Sequence, residues 1–342
     1  MSTARRVPET VGSPGIGPLA VVASMSPKQL FVDSIARLRF ADGFSHARAM
    51  AFQVVLTLVP ASIAFVALAQ VLDWESVSQS VLHITELVSP GAASEVFREA
   101  FEQGLGETSS AVAALIGGTV AAAIAGTTAY GQVERTANRI YGVEVDRSSR
   151  RKYTLAATMF AVTAVIVLLG LLGVGVLEDW RGANTGGWDT FSRVIIWPVA
   201  AAIVLAAFVV IFSVCPRRRQ PGARWVALGA AVTMVGFAVV SVALGAYLDA
   251  SGSFGDTYGP LAGQIGALLW AYGIAIAVFL GVAVSAQIEA VRGGAADPRD
   301  VGKVELGEPD TALVPYGAAL VFSEADTNHD HRNVVTGTQT KT

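Results

Sequence analysis

The sequence predicts an all-α integral membrane protein with six transmembrane helices, both termini on the cytoplasmic side, and an amphipathic helical cap in the first outer loop. Three observations carry this reading. The 342 residues are 53% hydrophobic and only 15% charged, whereas soluble domains carry about 25% charged residues. Asp, Glu, Lys and Arg are absent from six runs of 23 to 32 residues: 49–72, 108–133, 153–177, 194–216, 225–248 and 257–288. An apolar helix of roughly 20 residues crosses roughly 30 Å of hydrocarbon, so each run crosses once. None of the runs alternates polar and apolar residues as a barrel strand does, which excludes a β-barrel. Finally, 21 of the 24 Lys and Arg lie before the first run, in the second and fourth connections, or after the last run; only Arg98, Arg181 and Arg193 lie in the opposite connections. Basic loops stay cytoplasmic. An odd number of spans would break this alternation.

The elements follow in chain order. Residues 1–25 are expected to be a disordered leader, since 10–27 contains Gly12, Pro14, Gly15, Gly17, Pro18 and Pro27. Leu19 to Ala23 is too short for a signal-peptide core, and Met25 is an alternative start. Ser26-Pro27-Lys28-Gln29 reads as a helix cap opening an amphipathic cytoplasmic helix over 26–42. Leu30, Phe31, Ile35 and Leu38 share one of its faces, opposite Lys28, Asp33 and Arg37. That helix either lies on the membrane surface or packs against the inner rim of the bundle. The transmembrane domain covers 43–292, with spans at about 49–72, 109–133, 153–177, 194–215, 225–248 and 262–288. In the first outer loop, Val96, Phe97, Ala100, Phe101 and Leu105 recur at one-face helical spacing, so one or two amphipathic helices, broken at Ser89-Pro90-Gly91, cap the outer mouth.

Span two carries Ala113 and Gly117, then Gly118, Ala122 and Gly126, at four-residue spacing. Small residues let helices approach closely in lipid, so this span is expected to be central. The tail, 293–342, reads as mostly disordered. Its Asn328-His329-Asp330-His331 string has no partner cluster and is not read as a metal site. The lone Cys215 cannot form an intrachain disulfide and reads as a small hydrophobe.

The polar residues of the spans suggest where a site lies. Gln53 and Thr57 precede Pro60, which frees backbone carbonyls near mid-membrane. Thr127, Thr128, Gln132, Glu134, Arg135 and Asn138 end span two, and Gln264 begins span six. Hydrocarbon cannot satisfy such groups, so these ten residues are expected to line one cavity between spans one, two and six, open toward the cytoplasm. Arg147, Arg150, Arg151, Lys152, Arg217, Arg218 and Arg219 lie at the level of the cytoplasmic headgroups. There they either contact anionic lipid or only set topology. No span has a charge at its middle, which counts against a proton-coupled carrier.

Ala47-Arg48-Ala49-Met50-Ala51-Phe52-Gln53 with Leu58-Val59-Pro60 resembles the first-span signature of the YihY/BrkB family of six-helix inner-membrane proteins. Tyr130-Gly131 through Asn138-Arg139-Ile140-Tyr141-Gly142-Val143, then Arg147 and Arg151, is similar to that family's second-span exit. Tyr258-Gly259-Pro260-Leu261 with Leu268-Leu269-Trp270 and Gly281 is similar to its last span. The resemblance covers about 28–290. One departure stands out: the family's Gly-Ala-Glu-Leu-Asn-Ala is here Gly-Val-Ala-Val-Ser-Ala, Gly281 to Ala286, so no role of that Glu or Asn transfers.

The resemblance implies a bacterial cytoplasmic-membrane protein that supports envelope integrity, by transporting or flipping a lipid or other amphiphile. The alternative is a non-transporting membrane scaffold. Membrane lipids are the implied partners, with no cofactor, metal or nucleic acid, and a homo-oligomer is compatible with it. An older ribonuclease label on relatives is disfavoured and no enzyme activity is expected, because metal-dependent hydrolysis needs clustered His and Asp. Here His46 and His83 fall on opposite sides of the membrane, and His329 and His331 lie in the tail.

Overall fold

The computed structural model describes residues 4–11, 17–72, 108–183, 188–251, 257–258 and 261–299. The chain divides into two units after Arg299, and every described residue belongs to the first. The expected outer cap, the metal-like string and the tail beyond 299 lie outside the described residues.

Among the described residues there are eight helices: α1 (Pro18–Ala23), α2 (Pro27–Phe40), α3 (Gly43–Val71), α4 (Thr108–Ile140), α5 (Ser149–Ala183), α6 (Trp188–Val214), α7 (Ala223–Ser251) and α8 (Ala262–Arg292). Among the described residues there is no strand; the nearest approach is one isolated bridge, Ala4 to Arg299. Five stretches are long and apolar enough to cross a membrane: Gly43–Val71, Ala111–Ile140, Ser149–Gly170, Ala223–Leu248 and Ala262–Arg292. Pro198–Val214 of α6 is a shorter apolar helix. At two of the helix ends that outrun the charge-free runs, the acid is paired inside the protein: Glu134 of α4 with Arg147 and Glu289 of α8 with Arg218.

The start of the chain departs from expectation. Ala4 and Val7 are buried, Arg5 N–H donates to Pro298 O at 3.0 Å, and Val7 N–H donates to Tyr141 O at 3.0 Å. Residues 4–8 of the segment read as a disordered leader therefore pack against the chain just beyond α4 and α8, and α1 adds Val21 to an apolar cluster with Trp225, Val284 and Ile288. Bonding to the backbone of other segments satisfies what composition alone left unpaired.

Ser26 caps α2 as its sequence indicated, accepting from Gln29 N–H at 3.1 Å. The helix packs against α8 and is not a simple amphipathic surface helix. Arg37, read as solvent-facing, is fully buried, while Phe31 and Val32 are 53% exposed. Hydrogen bonds offset the cost of burying a guanidinium, and Arg37 donates from Nε to Gln287 Oε1 at 2.9 Å and from Nη1 to Arg5 O at 2.9 Å, while its Nη2 is buried without a partner. Asp42, with φ of 57°, turns the corner into α3 in the left-handed region that Asp tolerates better than most residues.

Close backbone approach sets the bundle. A Cβ on Gly118 would sit 2.8 Å from Pro60 O, so the α3–α4 crossing admits only glycine there. Gly229 of α7 and Gly281 of α8 face each other's backbones in the same way. α8 is the most enclosed of the spans: 61% of its most apolar window is buried, against 22% or less in the other four, the span-two helix α4 among them. Every residue from 281 to 290 is buried. Elsewhere Ile116, Val120 and Ile124 of α4, and Val235, Val239 and Val242 of α7, form exposed apolar stripes. Stripes of this length belong against lipid.

Candidate functional site

The C-terminal turns of α4 send polar side chains in two directions. Thr128, Gln132 and Arg135, spaced by four and three, share one helical face; Glu134 and Asn138 share another.

The first face meets the start of α3 and the first turn of α5. A pocket of about 150 Å³ lies between them, lined by Ala49, Gln53, Thr128, Gly131, Gln132, Arg135, Lys152 and Tyr153. Thr128 Oγ1 donates to Gln53 Oε1 at 2.6 Å, tying α3 to α4, and Gln132 Nε2 lies 2.5 Å from His46 Nδ1. Lys152 is buried, its side chain only 7% exposed, with Nζ 3.4 Å from Asp146 Oδ2.

Of the ten residues expected to share a cavity, Gln53, Thr128, Gln132 and Arg135 line this pocket. Thr57 instead donates to Gln53 O within α3 at 2.7 Å, Pro60 lies deeper at the Gly118 crossing, and Thr127 is half-buried without lining the pocket. Gln264 is exposed on α8. The expected third wall, span six, is thus corrected to α5. Of the last-span residues that carry the resemblance, Trp270 and Gly281 pack inside the bundle, while Tyr258, Leu261, Leu268 and Leu269 are exposed, and none of them lines the pocket.

The second face of α4 builds a polar lock. Glu134, buried, pairs with Arg147 at 3.1 Å, and Arg147 also donates to Cys215 O at 2.7 Å and Val214 O at 3.1 Å. A cation on the final carbonyls of α6 suits that helix end. Asn138 Nδ2 donates to Asp146 Oδ1 at 2.9 Å, and its Oδ1 accepts from Arg217 N–H at 2.7 Å. Arg218 pairs with Glu289 at 2.5 Å and lies 4.5 Å over the Tyr141 ring. Thr10 adds N–H and hydroxyl contacts to Glu289 at 3.4 and 3.3 Å.

The basic residues expected at the lipid surface therefore divide. Arg147, Lys152 and Arg218 turn inward, and Arg217 spends its guanidinium on Val145 O and Asp146 O at 3.0 and 2.7 Å. Only Arg150, Arg151 and Arg219 present exposed side chains without such an anchor. Inward cations find acceptors that a loop charge count cannot reveal.

Burial lowers the pKa of Arg37 to about 10. Burial, with Glu289 nearby, pushes the Tyr141 phenol up. Burial also raises the Asp146 carboxyl, but the Asn138 hydrogen bond and Lys152 outweigh it and hold the group below its ordinary value. The lock residues Arg37, Tyr141 and Glu289 were not read as functional. The signal available was the pair Gln287 and Glu289 at the end of an otherwise apolar helix, groups that must find partners.

Long apolar helices with lipid-facing stripes, closed at one end by buried ion pairs, define a helical integral membrane protein. Comparison with known proteins then gives the family: residues 34–303 match the model described as virulence factor BrkB, and the chain belongs to that family. It is 26% identical over 268 residues to a Bacillus subtilis (strain 168) protein named as ribonuclease-like, YfkH, covering 76% of this chain and 94% of the relative. No solved structure matches the chain.

Proposed function

We propose that this protein is a six-span, N-in/C-in protein of the bacterial cytoplasmic membrane that supports envelope integrity by transporting or flipping a lipid or other amphiphile, and that it is not an enzyme. The observation that carries the reading is the pocket at one end of α3, α4 and α5, where Gln53, Thr128, Gln132, Arg135 and Lys152 converge. Polar groups at this position stand beside exposed apolar helix faces, so an amphiphile can place its head in the pocket and its tails on the bundle. The ribonuclease-like wording of the relative's name is not carried over. The residues lining the pocket offer cations and amides but no carboxylate, and metal-assisted phosphodiester hydrolysis relies on carboxylate or imidazole ligands.

The test is reconstitution in liposomes with fluorescent lipids in one leaflet. Faster exchange than in protein-free vesicles supports transport; equal rates overturn it. A scaffold is the second reading, favoured by the buried Arg218–Glu289 pair that ties three segments together, and it would stand if exchange is absent.

A further inference from the structure

We infer that the α3–α4–α5 pocket binds a phosphate-type anion, with Lys152 and Arg135 as its two cationic jaws. This rests on the amphiphile reading above and names the head that the pocket takes.

The argument begins with Lys152. Removing an ammonium from water is costly unless all its charge is answered, yet this side chain is 7% exposed and its carboxylate contact is long, at 3.4 Å. Asp146 is already engaged by Asn138 at 2.9 Å, so it is a shared counter-ion. An ammonium carries three donors, and here one of them has a distant partner. The others have the pocket.

Arg135 supplies the second charge. It lines the same space and is exposed enough to swing, so its planar fork can close on two oxygens of an anion. Between the jaws, Gln53 brings its side-chain amide, held 2.6 Å from the Thr128 hydroxyl. Tyr153 offers a hydroxyl at the rim. No acid lines the pocket, and the carboxylate beside it, Asp146, is shared between Lys152 and Asn138, so two cations face one counter-ion. Its volume of about 150 Å³ has room for a phosphate or phosphodiester group.

The shared chemistry is a phosphate oxyanion, and its source is either a lipid headgroup or free phosphate. Native mass spectrometry of the full-length detergent-purified protein with short-chain phosphatidylglycerol, and separately with inorganic phosphate, distinguishes the two. Lipid adducts that phosphate displaces assign the headgroup; phosphate adducts without lipid adducts assign the free ion, and both support the site. Lys152→Gln and Arg135→Gln are each expected to weaken the adduct about tenfold, the scale of one lost charge-assisted hydrogen bond. Lys152→Arg should retain it, and Arg150→Gln with Arg151→Gln should leave it unchanged.

Ala49→Trp fills the pocket from α3 without altering a charge, and should abolish the adduct while the protein stays monodisperse. That variant guards against a loss caused by misfolding. Absence of any adduct, or equal adducts in all variants, overturns the site. If adducts follow this pattern but leaflet exchange is absent, transport fails and the site stands. If exchange proceeds while adducts are absent or equal in all variants, the site fails and transport stands.

Discussion

Arg218, in the connection after α6, reaches Glu289 near the end of α8 at 2.5 Å, with the two side chains only 2% and 1% exposed. The guanidinium also donates to Pro8 O at 3.1 Å, and Thr10 reaches the same carboxylate. One ion pair thus joins the start of the chain, the α6–α7 connection and α8.

Removing one partner of such a pair strands the other, at a cost of about 3–5 kcal/mol, whereas replacing both by apolar groups can be close to neutral. Arg218→Met or Glu289→Gln alone should lower the denaturation midpoint sharply. The double variant Arg218→Met/Glu289→Leu should recover most of the loss. Trypsin should also cut after Arg5 or Arg6 in the single variants, because Arg218→Met removes the Pro8 contact and Glu289→Gln weakens the Thr10 contacts. Single variants as stable and as resistant as the parent would show that the pair contributes little.

Glycine positions on one sequence face differing neighbours. Gly229→Ala drives a methyl into the Gly281 carbonyl of α8, while at Gly117 nothing lies within 4 Å. Overpacking costs about 1–3 kcal/mol, so Gly229→Ala should destabilise the protein. Gly117→Ala should gain up to about 1 kcal/mol of helix propensity. Thermal midpoints of the two variants measured in one detergent decide the matter, and equal shifts would refute the α7–α8 contact.

The sequence made the helices readable because charge exclusion from lipid is a strong, local signal: five candidate spans and the apolar stretch of α6 fall on its charge-free runs. It also marked Gln53, Thr128, Gln132 and Arg135, which share the pocket. It could not place Glu134 and Asn138 apart from them without the wheel of α4, nor foresee that Lys152 turns inward to Asp146. Arg37 illustrates the deeper reason. Its burial depends on Gln287, 250 positions away, and no window on the chain contains both.

Asp146 predicts a pH dependence. Its folded pKa is below the ordinary 3.8, so its ionised form contributes stability that is fully present above that value and is lost as pH falls through the folded one. The stability gap between the parent and Asp146→Asn should therefore be flat from neutral pH down to about pH 5 and shrink below about pH 4. Melting curves over that range test this. A gap that does not change with acid would mean that the carboxylate charge is not what Asn138 and Lys152 hold.

Topology gives the last prediction, and its argument is parity. Residues 5 and 7 bond to Pro298 and Tyr141, Lys152 at the start of α5 meets the end of α4, and Arg147 caps the end of α6. Arg292 at the end of α8 stacks on Trp225 at the start of α7, 4.4 Å from its ring. The starts of α3, α5 and α7 and the ends of α4, α6 and α8 therefore gather at one end of the bundle, the arrangement expected if all six helices cross as proposed. That end also carries the basic residues that favour the cytoplasm. A reporter fused after Lys303 should behave as cytoplasmic and one inserted near Gly252 as external. If both report the same side, α8 does not cross and the six-span arrangement is wrong; if the two are reversed, the arrangement survives with the opposite orientation, and the pocket would open to the outside.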